Sequence, residues 1–130
     1  MARAPRWLGK QALLLLHEES LATFGGAYGL RDEGLLESAL HRPRDLYGIA
    51  GVSSIPSLAA AYAYGLCRNH PFVDGNKRAA FLAIGVFLAL NGRRLTASPV
   101  EAVAVMMALA AGEIDEATLA AWIRRHNAAI

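Results

Sequence analysis

The residues of this chain whose types and spacing suit them to chemistry fall in one run of nine, His70-Pro71-Phe72-Val73-Asp74-Gly75-Asn76-Lys77-Arg78. His70 can accept a proton from a hydroxyl near neutral pH. Asp74 is a hard oxygen ligand of the kind Mg²⁺ takes when it accompanies a nucleotide. Asn76, Lys77 and Arg78 are expected to form the first turn of a helix. There, unpaired backbone N–H groups and the positive end of the dipole favour an anion. Gly75 lets backbone come close to a phosphate. Lys77 adds a point charge and Arg78 a planar fork. Singly, each has an ordinary reading: a lone histidine, an Asp-Gly-Asn turn, a solvated Lys-Arg pair. Together, a base, a carboxylate and a phosphate nest point to phosphoryl or nucleotidyl transfer. Phe72 is expected to anchor the loop in the core rather than to react.

The elements that must position this loop read as helices. Ala79 to Leu90 is apolar but short of the roughly 20 residues of a membrane span, so it reads as a fully buried helix, ended by Asn91-Gly92. Leu58 to Arg68, before the loop, is a helix rich in Ala and Tyr; Tyr62 and Tyr64 must face different ways. The first helix is predicted over Trp7 to Phe24, with Leu13, Leu14, Leu16, Leu21 and Phe24 near one face. His17, Glu18 and Glu19 read as a solvated patch on it, and Gly25-Gly26 stops it. Ala27 to Arg31 is a glycine-flanked loop or short hairpin. Asp32 caps a short helix carrying Leu35, Leu36, Ala39 and Leu40 and ended by Pro43. Leu46 to Ser57 reads as a helical turn and then a loop. Ser98-Pro99-Val100-Glu101 is a capping box that starts a helix with Met106, Met107 and Leu109 in the core. Asp115 caps the last helix, with Leu119, Trp122 and Ile123 inward. No segment alternates as a strand. The fold class is all-α, with a small flap as the only β structure.

Composition bounds the partners. A chain of 130 residues is expected to be one domain, residues 1–130, with a single core. A net charge of +2 with scattered basic residues argues against direct nucleic-acid binding. The single cysteine, Cys67, excludes an internal disulfide and reads as core. No leader peptide is evident. The expected setting is the cytoplasm, away from membranes.

The run from His70 to Ala80 resembles the signature loop of the Fic/Doc superfamily, and most closely its Doc (death-on-curing) toxin branch. Fic-type chains read His-Pro-Phe-x-x-Gly-Asn-Gly-Arg-x-x-Arg; here Lys77 stands in place of the second glycine and Phe81 in place of the second arginine. Asn76, Lys77, Arg78 and Ala80 follow the Doc pattern. Gly25 to Leu36 is similar to the Doc flap, and Ala111-Gly112-Glu113-Ile114 with Trp122 is similar to its tail. The resemblance implies a compact helical bundle with a flap or hairpin, Ala27, Tyr28, Gly29, Leu30 and Arg31, beside the active-site loop. It implies that this flap docks the target protein as an added strand, a mode that needs extended backbone. It also implies that Arg68 points at nucleotide or target.

The expected mechanism follows from these residues and the resemblance. ATP with Mg²⁺ lies on the nest, Asp74 holds the metal, and Gly75, Asn76, Lys77 and Arg78 bind phosphate. His70 takes the proton of a Ser or Thr hydroxyl. Lys77 and Phe81 favour the Doc outcome, transfer of the γ-phosphate, with elongation factor Tu as the implied target. AMP transfer is the alternative within chemistry. A catalytically silent phosphate-binding module is the alternative outside it. The inhibitory Ser/Thr-x-x-x-Glu-Gly/Asn pattern of many Fic chains is missing, because Gly29 precedes Glu33-Gly34. The resemblance therefore implies an antitoxin that binds in trans.

Overall fold

A computed structural model describes residues 3–130. Its described residues form six helices and two short strands: α1 (Lys10–Phe24), α2 (Glu33–Gly48), α3 (Ile55–Asn69), α4 (Asn76–Leu90), β1 (Arg93–Leu95), α5 (Pro99–Ala110), α6 (Glu116–Arg125) and β2 (Asn127–Ala129). The fold is the expected all-α class. α3 is central and packs against α2, α4 and α6. Its run Leu58 to Ala63 is buried on every side, as a helix surrounded by others must be. Leu66, Phe87, Ile84, Leu119 and Ile123 join it in one hydrophobic cluster.

Side chains start four of these helices. Asp32 accepts from Leu35 N–H, Ser54 from Ser57 N–H, Ser98 from Glu101 N–H and Asp115 from Thr118 N–H. The capping box at Ser98 is only half made. Glu101 turns its carboxylate to Trp122 Nε1, at 2.9 Å, and so ties α5 to α6.

Several boundaries differ from the sequence reading. α1 starts at Lys10, not Trp7. Gly9 is its N-cap, and Leu8 N–H is drawn off to the buried Tyr62 hydroxyl at 3.1 Å. Trp7 instead packs on Phe87 and Tyr47 from an extended lead-in. α2 does not end at Pro43 but runs on to Gly48, so Leu46 is helical. The buried proline ring makes up for the lost backbone hydrogen bond. α4 is not buried all round: Phe81 and Leu90 are exposed. Met107, expected in the core, is 56% exposed, and Phe24 lies outside the core as well. The β structure is not in the flap. β1 and β2 pair antiparallel, Arg93 opposite Ala129 and Leu95 opposite Asn127, too short to show alternation in sequence. The flap is a single extended segment with one bridge, Leu30 to Phe72, rather than a hairpin.

The contact between α2 and α3 sets the position of the loop that follows α3. A Cβ on Gly65 would lie 3.1 Å from Ala39 Cα and 3.2 Å from Ala39 Cβ. Gly65→Ala is expected to lower stability by about 1–2 kcal/mol, since overpacking outweighs the gain of about 1 kcal/mol an alanine normally brings to a helix. Urea unfolding checks this; unchanged or raised stability would mean that the two helices can separate freely.

Candidate functional site

The loop between α3 and α4 is built from its own backbone and one asparagine. α3 ends with His70 in the left-handed region, φ 48° and ψ 56°, the one non-glycine residue with positive φ among the described residues. Histidine tolerates this conformation better than most residues. Asn76, buried, staples the turn: its Oδ1 accepts from Phe72 N–H and its Nδ2 donates to Phe72 O, both at 3.0 Å. That pairing fixes the amide orientation. It therefore sets Nδ2, and not Oδ1, opposite His70 Nδ1, at 3.3 Å. The imidazole itself is exposed. Phe72 is 2% exposed and stacks on His17, ring centroids 3.7 Å apart at 14°.

The sequence reading misplaced His17. It is 4% exposed, not solvated. Its Nε2–H donates to Asp74 O at 2.7 Å while its ring covers Phe72. A signal was present: Leu13, His17 and Leu21 are spaced four apart, and all three are buried on one face of α1. Gly75 completes this contact. Its φ is 77°, and a Cβ there would lie 3.3 Å from His17 Nε2. The glycine is thus needed for packing against α1 as well as for open backbone.

Asp74 joins the loop to the flap. Its Oδ2 accepts from Ala27 N–H at 3.1 Å and its Oδ1 from Gly75 N–H at 2.8 Å. These N–H groups, Ala27 first, hold its carboxyl below the usual carboxylate range. It is ionised at neutral pH, and each oxygen keeps a free lone pair. The flap also hydrogen-bonds along the loop: Val73 N–H donates to Gly29 O, and Arg31 and Asp32 N–H both donate to Pro71 O. Ala27 to Arg31 are all exposed.

At the start of α4 the N–H groups of Asn76, Lys77 and Arg78 find no partner among the described residues, and Gly75 supplies no side-chain cap. The expected nest is thus backbone N–H and two cations; the Asn76 amide is spent inside the loop. Lys77 is exposed and forms no salt bridge among the described residues. Arg78 lies over the Phe24 ring, 5.0 Å from its centroid, at the negative end of the α1 dipole. His70, Asp74, Gly75, Asn76, Lys77 and Arg78 line one cavity of about 370 Å³. Lys77 and Arg78 also line a second, apolar cavity of about 330 Å³, walled by Phe81, Val103, Met106 and Met107.

Arg68 is not brought to this site. It stacks on Tyr64 and lines a separate cavity with Arg42 and Asp45, because it leaves α3 two residues before the turn at His70. Cys67 is buried, and burial pushes its thiol up to about 11, so it stays protonated and unreactive at neutral pH. Among the described residues no cluster of three His, Cys, Asp or Glu is placed to hold a metal, and no helix is long and apolar enough to cross a membrane.

Comparison with known proteins identifies the family. The family model described as the Fic/DOC family matches residues 7–88, which span α1 to nearly the end of α4 and include the whole loop and flap. A protein of Mycolicibacterium smegmatis named Toxin Doc is 45% identical over 75 residues, covering 57% of this chain and 58% of that protein. A protein of Escherichia phage P1 named Protein kinase doc is 29% identical over 120 residues, covering 92% of this chain and 94% of that one. With the match running through the loop, the flap and the helices that hold them, the chain belongs to the Fic/DOC family.

Proposed function

We propose that this chain is the toxin of a toxin–antitoxin pair, a protein kinase that moves the γ-phosphate of ATP to a Ser or Thr hydroxyl. The observation that carries this reading is the shared wall of the two cavities. Lys77 and Arg78 stand between a polar cavity holding His70 and Asp74 and an apolar one behind Phe81. A nucleoside triphosphate has the same division, and the cations at the boundary match its anionic part. The names of the two relatives, a toxin and a protein kinase, support the same reading. Elongation factor Tu as target, and hence arrest of translation in the cytoplasm, rests on the resemblance of the loop alone.

In this reading the N–H groups of Asn76, Lys77 and Arg78, together with Lys77 Nζ and the Arg78 guanidinium, bind phosphate oxygens. They stabilise charge as it shifts during transfer. The donor set fits Mg²⁺: one ionised carboxylate, Asp74, with a free lone pair on each oxygen and no all-protein cage, as an ion held largely by substrate phosphates needs. When bound, the ion neutralises phosphate charge. His70 takes the hydroxyl proton on Nε2, the nitrogen with no partner among the described residues. Nδ1 then carries the other hydrogen, and the long contact to Asn76 is given up. The flap presents its exposed backbone to the target. An antitoxin segment has an apolar landing strip next to the site, formed by Val100, Val103 and Met107 of α5 with Phe81. A helix laid there would close the apolar cavity.

The test is incubation of the protein with elongation factor Tu and ATP labelled separately at the γ- and α-phosphates, with and without Mg²⁺. Label from γ alone, dependent on Mg²⁺, is the expected result. Label from α alone would make the chain an adenylyltransferase and overturn the argument from Lys77 and Phe81. ATP bound without transfer to any protein would leave a silent binding module.

A further inference from the structure

We propose that Arg31 is a positioning residue for His70: the flap guanidinium grips the carbonyls of Asn69, the last residue of α3, and of its C-cap His70, and so sets where the imidazole stands. Arg31 Nε donates to His70 O at 2.7 Å and Arg31 Nη2 to Asn69 O at 2.8 Å. These carbonyls are among those a helix C-terminus leaves without partners, and they lie at the negative end of its dipole. A planar fork meets both at once in a fixed geometry, where an ammonium is a rotatable point charge. The carbonyl it holds belongs to the one non-glycine residue with positive φ among the described residues. Such a backbone persists only where its surroundings hold it. The remaining support is thin: one backbone bond from His70 N–H to Leu66 O at 3.2 Å and the long side-chain contact of Nδ1 with Asn76 at 3.3 Å.

The flap backbone reinforces the grip. Arg31 N–H donates to Pro71 O at 2.7 Å, so residue 31 contacts the loop through main chain and side chain together. This assignment changes what the flap does. Its outer edge is open to a protein target, while the Arg31 guanidinium, itself exposed, turns Nε and Nη2 to the loop carbonyls. A target that pairs with the flap would bear on the same segment that orients His70. The inference rests on His70 being the base of the proposed transfer.

The test compares wild type with Arg31→Ala and Arg31→Lys in two measurements. The first needs no reaction. In protein labelled with ¹³C at histidine, the His70 Cα and Cβ shifts report its left-handed backbone. Both variants are expected to move them toward average values, with the His41 and His126 signals unmoved. The second is kinetic. Arg31→Ala is expected to lower kcat by roughly 10–100-fold through misplacement of the base, with the KM for target and the affinity for ATP held within about twofold. Added guanidinium ion at millimolar concentration should restore part of the rate. Unmoved His70 shifts would overturn the proposal. So would a raised KM with unchanged kcat, which would make Arg31 a docking residue. If wild type transfers no phosphate, the proposed reaction fails, and the spectra still decide whether Arg31 holds His70.

Discussion

His70→Ala is expected to lower the rate of phosphate transfer by about 10²–10⁴-fold, the span that loss of a positioned base commonly costs. The fold should survive. The imidazole is exposed, and its one hydrogen-bond partner is the long contact to Asn76, so stability should change by less than about 1 kcal/mol. The residue's backbone is held by Arg31 and by Leu66 O, which the substitution leaves in place. ATP affinity should be nearly unchanged, because the proposed nest consists of the α4 N–H groups, Lys77 and Arg78. His70→Gln is the useful partner variant. It keeps a polar side chain of similar reach but cannot take up a proton. Transfer, melting temperature and ATP binding measured on the same preparations separate the readings. A variant that binds ATP and transfers at the wild-type rate would remove His70 from the chemistry. If His70→Ala leaves cellular growth arrest intact, toxicity comes from binding and not from catalysis.

Phe72→Ala should have the largest effect on stability, a loss of about 3–5 kcal/mol, as for buried aromatic residues generally. The ring is buried, it stacks on His17, and its own N–H and C=O are the two groups that Asn76 staples. The change therefore leaves a cavity between α1 and the loop and strips the cover from His17. Against a total stability of 5–15 kcal/mol typical of single domains, this is a large share. The expected fall in melting temperature is roughly 10–20 °C. Phe72→Leu keeps most of the buried area and loses mainly the stack, so it should cost about 1–2 kcal/mol. Thermal unfolding of both variants decides the matter. A loss under about 1 kcal/mol for Phe72→Ala would mean that the turn is held by Asn76 alone. Activity should fall with stability in Phe72→Ala, since Asp74 and Gly75 are placed by the same contact with His17.

The loop stands out in the sequence because the residues of the candidate site are contiguous. A base, a carboxylate, a flexible residue and two cations in nine residues need only a turn and a helix start to meet, and both are local events. Helix caps at Asp32, Ser98 and Asp115 were legible for the same reason, since each bond spans three residues. What local reading missed depends mostly on distant partners. His17 reads as one of three polar residues in a row until Asp74, 57 positions away, accepts its N–H. Ala27 is silent until it meets Asp74 across 47 positions, and Arg31 until it meets His70 across 39. Pro43 reads as a helix end because local sterics say so, and packing overrode them. Arg68 lies two residues from His70 in the chain, but the left-handed turn at His70 sends the two side chains to different cavities.

The amino-acid sequence by itself thus determined the helical class, the family, and the nine-residue run proposed as the site, because periodicity, caps and a short motif act over a few bonds. The tertiary structure alone decided which of those side chains are free to act. It spends Asn76 on the turn, seats Phe72 under His17, ties Asp74 to the flap, and leaves His70 and Lys77 exposed beside the bare N–H groups of α4. Those outcomes turn on hydrogen bonds and packing between segments tens of residues apart. Only the assembled bundle brings them within reach.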